Sequence, residues 1–504
     1  MCVLSALLAI PPAASAQAIF QPGFHQALRS SLTAPAHTTY RMKIPVGRAG
    51  SRLRLDFTAG DGSLTLHAAT VAVAGSQGKL PSAPATLTFN GAAGFTAVAR
   101  QRVASDPIPF PIAFGAELYV SFEVTGAMAA STINAFPDSY SFSGSVTATQ
   151  TPSGGRPFMQ AVALDTVEVE GPSGLAMVAL GDSITEGYVS GDTGTYVSRN
   201  DDTRNAWPAV AQKILGVPVV NAAVSGQGVF DAIDHLNAEV LTLKGLTDCL
   251  ILIGTNDLGG NTAEQIEAGL ANLFDKLRFS CRVWASTLLP KDRTSNGVYA
   301  TVVTRRLAVN DWIRHQAKVD GVLDLEPALA APGNINLFGP GLGEDGIHPS
   351  VAGHLIMGQV AAKTLAPLLT TAVPHIEAVL PTSGNVAGGT NVEISGVNFV
   401  SGATVTIGGV ATQVMISGSG TLTAKTGPHA PGPVDIVLSN PDGQAATLPG
   451  GYTYTSAADP VPPVVPDPTA FPAGGCNGAG APPSLLLLLP FLGLAAGRRR
   501  LKRR

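Results

Sequence analysis

The run Leu175-Ala176-Met177-Val178-Ala179-Leu180, closed by Gly181-Asp182-Ser183, constrains this chain more than any other stretch. Six apolar residues ending in a small polar turn read as a buried strand that delivers a residue to the carboxyl edge of a sheet. In open α/β sheets, ligands bind at that edge. A serine placed there, followed by Ile184-Thr185-Glu186-Gly187, can expose its hydroxyl and lend its own backbone N–H to an oxyanion. Gly-Asp-Ser alone is also an ordinary strand-to-loop turn. The chemistry therefore depends on what else the chain brings to the same edge.

About 165 residues further on stands Asp345-Gly346-Ile347-His348-Pro349. Two residues between Asp and His let both side chains face one way in a loop or helical turn. The carboxylate can then hold the imidazole Nδ1–H and leave Nε2 to take a proton from the serine. Two further apolar runs end in polar turns. Val217-Pro218-Val219-Val220-Asn221 leads to Ala222-Ala223-Val224-Ser225-Gly226, and Cys249-Leu250-Ile251-Leu252-Ile253 leads to Gly254-Thr255-Asn256-Asp257. The unhindered Gly226 N–H and the Asn256 amide are donor types that stabilise a tetrahedral oxyanion. Each alone is equally a structural turn residue, but four such elements in this order, each at a strand end, are not a coincidence of composition. Among the other histidines, His235, His315 and His354 compete with His348; His354 is the strongest decoy, yet no Asp precedes it by three.

These residues resemble the SGNH/GDSL hydrolase family, with Ser183, Gly226, Asn256 and His348 standing where its four namesake residues do. Ile184 replaces the usual leucine after Gly-Asp-Ser, an apolar-for-apolar change. The resemblance covers roughly residues 172–368 and is nearest to secreted bacterial members with a β-rich domain in front. Asn310-Asp311-Trp312-Ile313-Arg314 and Val319-Asp320-Gly321-Val322-Leu323-Asp324 are similar to their penultimate helix and strand. It implies ester hydrolysis through an acyl-serine, with Ser183, Asp345 and His348 catalytic, and Ser183, Gly226 and Asn256 forming the oxyanion hole. No cofactor and no metal are implied.

At 504 residues the chain is long enough for about three domains. Charged residues are only 13% of it, and 57 glycines and 38 prolines suit β-rich modules joined by loops, not a coiled coil or a disordered chain. The formal charge is −4, and six of the last seven residues are basic, which leaves −10 on the remainder. An acidic body gives no electrostatic case for nucleic-acid binding. Four cysteines exclude a disulfide-rich scaffold, and none has zinc-finger spacing. Cys249 and Cys281 each precede an apolar run and are expected to begin neighbouring parallel strands opposite the site, as a disulfide or as two buried thiols.

Residues 1–16 are apolar and end Ala14-Ser15-Ala16, a small-x-small cleavage pattern, although no positive charge precedes Arg29; they read as a signal peptide. Residues 17–168 show short alternating runs such as Leu53-Arg54-Leu55-Asp56-Phe57 and Leu118-Tyr119-Val120-Ser121-Phe122, the pattern of a β-sandwich. His67 falls in one such run and is expected to be packed. Its expected role is to pack on the catalytic domain and shape the cleft, with carbohydrate binding as the alternative.

Over residues 172–368 strands alternate with helices, which implies a parallel sheet with helices on both sides. Glu264–Arg278 reads as an amphipathic helix with Ile266, Leu270, Leu273, Phe274 and Leu277 on one face. The polar segment Tyr188–Asn205 is expected to wall the cleft. Its Asp192, Asp201 and Asp202 lack a calcium-loop register and read as solvated.

Residues 374–455, with Gly388-Gly389-Thr390-Asn391-Val392-Glu393-Ile394 and Tyr452-Thr453-Tyr454, resemble an IPT/TIG immunoglobulin-like domain, which implies a spacer. Residues 456–475 form a Pro-rich linker. Residues 476–504 comprise Cys476, an apolar block at Leu485–Leu489 and an Arg/Lys terminus, a layout that resembles a myxobacterial-type C-terminal sorting tag and implies anchoring at the membrane or cell surface; a plain tail anchor is the alternative.

The sequence thus describes a multidomain protein. A central α/β three-layer domain with a flavodoxin-like parallel sheet is flanked by an N-terminal β-sandwich and a C-terminal immunoglobulin-like β-sandwich. The expected function is that of a secreted, cell-surface serine esterase whose partner is an ester substrate, short acyl (O-acetyl) groups on polysaccharide. A lipid or general short-chain esterase is the rival among enzymes, and a non-catalytic surface adhesion protein the rival from another class.

Overall fold

The computed structural model describes residues 18–172, 174–189, 202–291, 299–369, 374–399, 403–408, 414–418, 421–440 and 444–456. The expected signal peptide, the linker and the sorting segment lie outside the described residues, as do Asp192, Asp201 and most of the loop after Tyr188.

Five long strands dominate the N-terminal β domain: β1 (Ala18–His25), β2 (Ser30–Val46), β3 (Gly50–Val73), β4 (Ala116–Ala130) and β5 (Leu164–Pro172). They pair antiparallel in the order β1-β5-β3-β4-β2, within an eleven-stranded sheet whose four short extra strands pair with β3 off the main path. The 24-residue β3 changes partner along its length: residues 52–57 pair with β5, and those from Ala59 to Val73 pair with β4. A register shift between Ala59 and Leu64 carries the strand through Gly60-Asp61-Gly62, which the sequence suggests is a turn. Such a bulge bends a strand without ending it. Alternate side chains Leu53, Leu55 and Phe57, then Leu64 and Leu66, enter one apolar core with Val120, Phe122 and Val124. His67 differs from expectation: it stands on an exposed face, its ring stacked 6.2 Å from that of His37.

The central sheet has five parallel strands, β6 (Met177–Gly181), β7 (Val219–Asn221), β8 (Asp248–Leu252), β9 (Arg282–Ser286) and β10 (Gly321–Leu323), ordered β7-β6-β8-β9-β10. Every residue of β6 and β8 is buried, which explains their unbroken apolar runs. The strand order reverses between β6 and β8, the position at which open α/β sheets bind ligands.

The helices that bear on the site and its support are α1 (Ser183–Glu186), α2 (Trp207–Leu215), α3 (Val229–Leu236), α4 (Ala263–Leu277), α5 (Tyr299–His315) and α6 (Val351–Leu365). α2 packs on α6, and α4 packs on both α3 and α5. Helix α4 begins in a capping box between Thr262 and Gln265 and buries Ile266, Leu270, Leu273, Phe274 and Leu277, the face the period-3.6 pattern marks. Cys249 in β8 and Cys281 just before β9 are joined as a disulfide, with Cα atoms 5.8 Å apart, near the strand ends opposite the site.

From His375 to Thr455 two four-stranded sheets share a core of Ile376, Val392, Ile394, Leu422, Ile436 and Tyr452. Leu422 and Ile436 lie on different sheets, so the core is the space between them.

The β domain docks along the open edge of the parallel sheet. Gln26, just after β1, bridges parallel to Asn221 of the edge strand β7, and Ala27 N–H donates to the Asn221 carbonyl at 3.2 Å. An exposed strand edge is thereby covered. His25 crosses the same boundary: Nδ1 lies 2.7 Å from Thr166 Oγ1, and Nε2 lies 3.0 Å from the Glu239 carbonyl. The carbonyl can only accept, so Nε2 carries the hydrogen and Nδ1 accepts from Thr166.

Burial, then the charge of Arg102, push the His25 pKa down to about 3, from 6.5. Unfolded chains therefore bind a proton at His25 that the folded protein refuses. This stabilisation is complete above pH 6.5 and is lost as pH falls toward 3. At one pKa unit per roughly 1.4 kcal/mol, its loss by pH 4 is about 3 kcal/mol. His25→Gln should therefore flatten the fall in melting temperature between pH 7 and pH 4. Parallel pH profiles for the two proteins would contradict this role.

Candidate functional site

Strand β6 ends at Gly181, and the chain turns at once into α1. The turn is so tight that a Cβ at Gly181 would lie 2.2 Å from Thr185 Oγ1 and 2.5 Å from the Leu252 carbonyl oxygen. Only glycine lets the helix start this close to the sheet. Asp182 is the N-cap: its carboxylate accepts from Ile184 N–H at 3.0 Å, satisfying one of the donors a helix start leaves open. Burial pushes the Asp182 pKa up to about 6, against the pull of that N–H. Ser183 follows as the first residue of α1, largely buried but with its hydroxyl directed at His348.

Ser183 Oγ lies 2.9 Å from His348 Nε2, and His348 Nδ1 lies 2.8 Å from Asp345 Oδ2. The other oxygen of Asp345 accepts from the backbone N–H groups of Ile347 at 2.9 Å and His348 at 2.8 Å. The loop thus binds its own carboxylate and fixes where it points. Burial would raise the Asp345 pKa, but the hydrogen bond and charge of His348, with those two N–H groups, hold it well below the usual carboxylate range. An ionised Asp345 can only accept, so Nδ1 carries the hydrogen and Nε2 is left free to accept from Ser183. Immediately after this loop, Ser350 caps α6 by accepting from Gly353 N–H. The ring of Tyr188 meets that of His348 edge-on at 4.5 Å between centroids.

Gly226 and Asn256 reach the same edge by different routes. The loop after β7 is held to the end of β6: Val224 N–H and the Gln227 side-chain amide both donate to the Gly181 carbonyl. Gly226 sits between them at φ +85°, with open space where a Cβ would stand. Asn256, after β8, donates one Nδ2 hydrogen to the Gln227 carbonyl at 2.9 Å, which leaves its second for a ligand. Among the described residues neither Ser183 N–H nor Gly226 N–H is used by a backbone acceptor. Asp257 accepts from Val229 N–H at 2.8 Å and so ties this loop to the start of α3.

His354 is fully buried on α6 with Nε2 3.5 Å from the Tyr188 carbonyl, away from Ser183, and burial lowers its pKa to about 4. His235 and His315 lie on helices, each ring bonded to a carbonyl one turn back. Asp202 is paired with Arg204. Among the described residues no group of three or more His, Cys, Asp or Glu side chains is placed to hold a metal ion.

Three residues that the motif reading passed over also belong to this edge. Lys291 is buried with Nζ 3.2 Å from the Thr255 carbonyl, and its burial outweighs the fields of Asp182 and Asp345 to lower its pKa. Glu186 is buried on α1, one turn from Ser183. Thr132 comes from the β domain. The only sequence signal for Glu186 is a carboxylate three positions after the serine, in a turn that must bury; for Thr132 there is none.

Such an arrangement can transfer a proton from a serine hydroxyl to an imidazole held in one tautomer, beside N–H donors that have no backbone acceptor among the described residues. Residues 179–356 match the GDSL-like Lipase/Acylhydrolase family, and residues 374–455 match the IPT/TIG domain. The chain therefore carries a GDSL-type hydrolase domain and an immunoglobulin-like TIG domain. It is 34% identical over 110 residues to the transcription factor collier of Drosophila melanogaster, which covers 21% of this chain. The match spans only 19% of that curated relative's length.

Similar solved structures include a putative lipolytic protein of the G-D-S-L family from Desulfitobacterium hafniense (24% identity, 38% of this chain and 100% of that one, TM-score 0.32). Another is the native aryl esterase of M. smegmatis (20% identity, 39% and 100%, TM-score 0.33). A third is a carbohydrate esterase family 2 enzyme with a carbohydrate-binding domain from Corynascus thermopiles (16% identity, 70% and 100%, TM-score 0.32).

The left-handed backbone at Gly226 gives a direct check on this loop. Gly226→Ala has room for its methyl group but must hold a conformation that costs an L-residue about 1–2 kcal/mol. Thermal unfolding should show that loss; an unchanged melting temperature would mean the loop does not need φ > 0.

Proposed function

We propose that the chain is an exported serine esterase that hydrolyses carboxylic esters through an acyl-serine, with short acyl (O-acetyl) groups on polysaccharide as its substrate. The observation that carries the reading is the unbroken chain Ser183 Oγ–His348 Nε2, His348 Nδ1–Asp345 Oδ2, at 2.9 and 2.8 Å. A non-catalytic adhesion protein has no use for such an arrangement.

Ser183 Oγ attacks the ester carbonyl as His348 Nε2 takes its proton. Charge then gathers on the carbonyl oxygen, where Ser183 N–H, Gly226 N–H and the free Asn256 amide hydrogen receive it. His348 passes the proton to the departing alcohol. Water next attacks the acyl-serine, with His348 again the base, and the acid leaves. Asp345 stays ionised throughout, holding the Nδ1–H tautomer and stabilising the imidazolium. The whole sequence is proton transfer and acyl transfer, with no redox or group-carrier step.

The substrate class is supported by the build of the chain: a β domain docked beside the site, an apolar start with a cleavage-type end, and an apolar, basic C-terminal segment bearing Cys476 that suits anchoring at the outer cell surface. The Cys249–Cys281 disulfide suits an oxidising compartment.

Ser183→Ala should fold with an unchanged melting temperature and lose essentially all turnover of p-nitrophenyl acetate, because no other group can form the acyl intermediate. Asp345→Asn should retain more activity, since donors and binding remain. Asn256→Ala should lower kcat by roughly a hundredfold with little change in KM. Near-wild-type turnover by purified Ser183→Ala would overturn the assignment, and a rise in KM alone for Asn256→Ala would make that residue a binding group. Acetate release from acetylated xylan, set beside a p-nitrophenyl chain-length series, separates the polysaccharide reading from a lipid or general esterase: rates that peak at long acyl chains with no polymer deacetylation would exclude it.

A further inference from the structure

The oxyanion loop is gripped from the β domain on both sides of Gly226. On one side stands Thr132, in the turn that follows β4. Its hydroxyl accepts from Ser225 N–H at 3.0 Å and donates to Glu186 Oε2; its backbone N–H donates to Glu186 Oε1 at 3.0 Å. Ser225 returns to the same carboxylate with its N–H and its hydroxyl, both at 2.7 Å. On the other side stands Arg29, at the foot of β2. Its guanidinium donates to the Gln227 side chain at 3.0 Å and is itself fixed by Asp231 and Glu239. Gln26 adds a third hold, its side-chain amide reaching the Ala223 carbonyl at 3.3 Å.

The centre of this arrangement is Glu186. It is 1% exposed, and a carboxylate that deeply buried is tolerable only with donors on both oxygens. Among the described residues, Ser225 and Thr132 supply these donors: two N–H groups and two hydroxyls. Among the described residues, Ser225 is the donor from the hydrolase domain and Thr132 the donor from the β domain. Glu186 shares the short helix α1 with Ser183, one turn away. One carboxylate thus joins the helix that starts with the nucleophile, the residue before Gly226, and a residue of another domain.

We infer that Thr132 and Arg29 are positioning residues for the oxyanion site, so that the N-terminal β domain is an obligatory part of the esterase and not a spacer or accessory module. The inference rests on the reading of Gly226 N–H as an oxyanion donor. Residues 225 and 227 are both bonded to the β domain, and residue 227 also to Gly181 and Asn256, so Gly226 between them, in a left-handed conformation with open space where a Cβ would stand, takes its place from neighbours that the β domain helps to hold. Donors stabilise a transition state only when they stand where the charge develops, and a displacement of about 1 Å can cost as much as a hundredfold in rate.

The test is steady-state kinetics on the full chain with p-nitrophenyl acetate, below the melting temperature of each variant. Thr132→Val keeps the shape and removes the hydroxyl; kcat should fall roughly tenfold or more with KM within about twofold. The inhibition constant of a trifluoromethyl ketone, which becomes a tetrahedral oxyanion on Ser183, should rise by the same factor as kcat falls. Thr132→Ser should recover most of both losses. Arg29→Met, on the opposite side of the loop, should lower kcat in the same manner and serves if Thr132→Val does not fold. A lowered melting temperature with kcat and inhibitor affinity unchanged would show that these residues only hold the domains together, and would overturn the inference while leaving the esterase reading intact. Wild-type protein inert toward every ester would instead overturn the esterase reading itself.

Discussion

Parallel strands can pair only if their connections cross a face of the sheet, so the groups that leave their carboxyl ends all emerge on one edge. Three of the four elements at the candidate site depend on that constraint. β6 releases Gly181-Asp182-Ser183, β7 releases the loop to Gly226, and β8 releases Asn256. Because strand order reverses between β6 and β8, the loops after them part and leave room for a ligand. The fourth element, the Asp345–His348 loop, needs no strand of its own: it is pinned by its own carboxylate and by the start of α6. Burial of β6 and β8 on every residue gives the edge a rigid base, and the disulfide fastens β8 to the segment entering β9 at the opposite end.

What could be read beforehand follows from how local each signal is. The Ser183 turn and the Asp345–His348 pair are short segments whose chemistry is complete within a few residues, so residue type and spacing describe them. The α4 face is legible because it repeats every 3.6 residues. The β domain is legible as strands but not as a sheet: β3 runs through Gly60-Asp61-Gly62, which any local reading takes for a turn, because its pairing with β4 outweighs the glycine preference. His67 was misplaced for a related reason. Alternation shows that a residue belongs to a strand, but which face meets the core is set by partners far away in the chain.

The Glu186 network was not legible at all. Its partners lie 39 and 54 positions away, in a different loop and a different domain, and Thr132 stands in no motif. A buried carboxylate is invisible until its donors are found. The domain interface carries more of this kind: His25 and Arg29 each bond across it, and each looks in the sequence like an ordinary polar residue near the start of a β domain. The side chains that meet at this edge were thus legible in the sequence, and what holds them in place was not. That division is physical, since reactivity belongs to residue types and positioning belongs to the fold.

In the proposed mechanism Ser183 alone becomes acylated, because His348 alone is placed to take its proton. Reaction with a fluorophosphonate followed by intact-mass measurement and peptide mapping tests it most directly, since the probe bonds only to an activated serine. The account requires one adduct per chain, located on Ser183, and none in His348→Ala over the same time. An adduct on another residue, or full ester turnover by protein that takes up no probe, would contradict it.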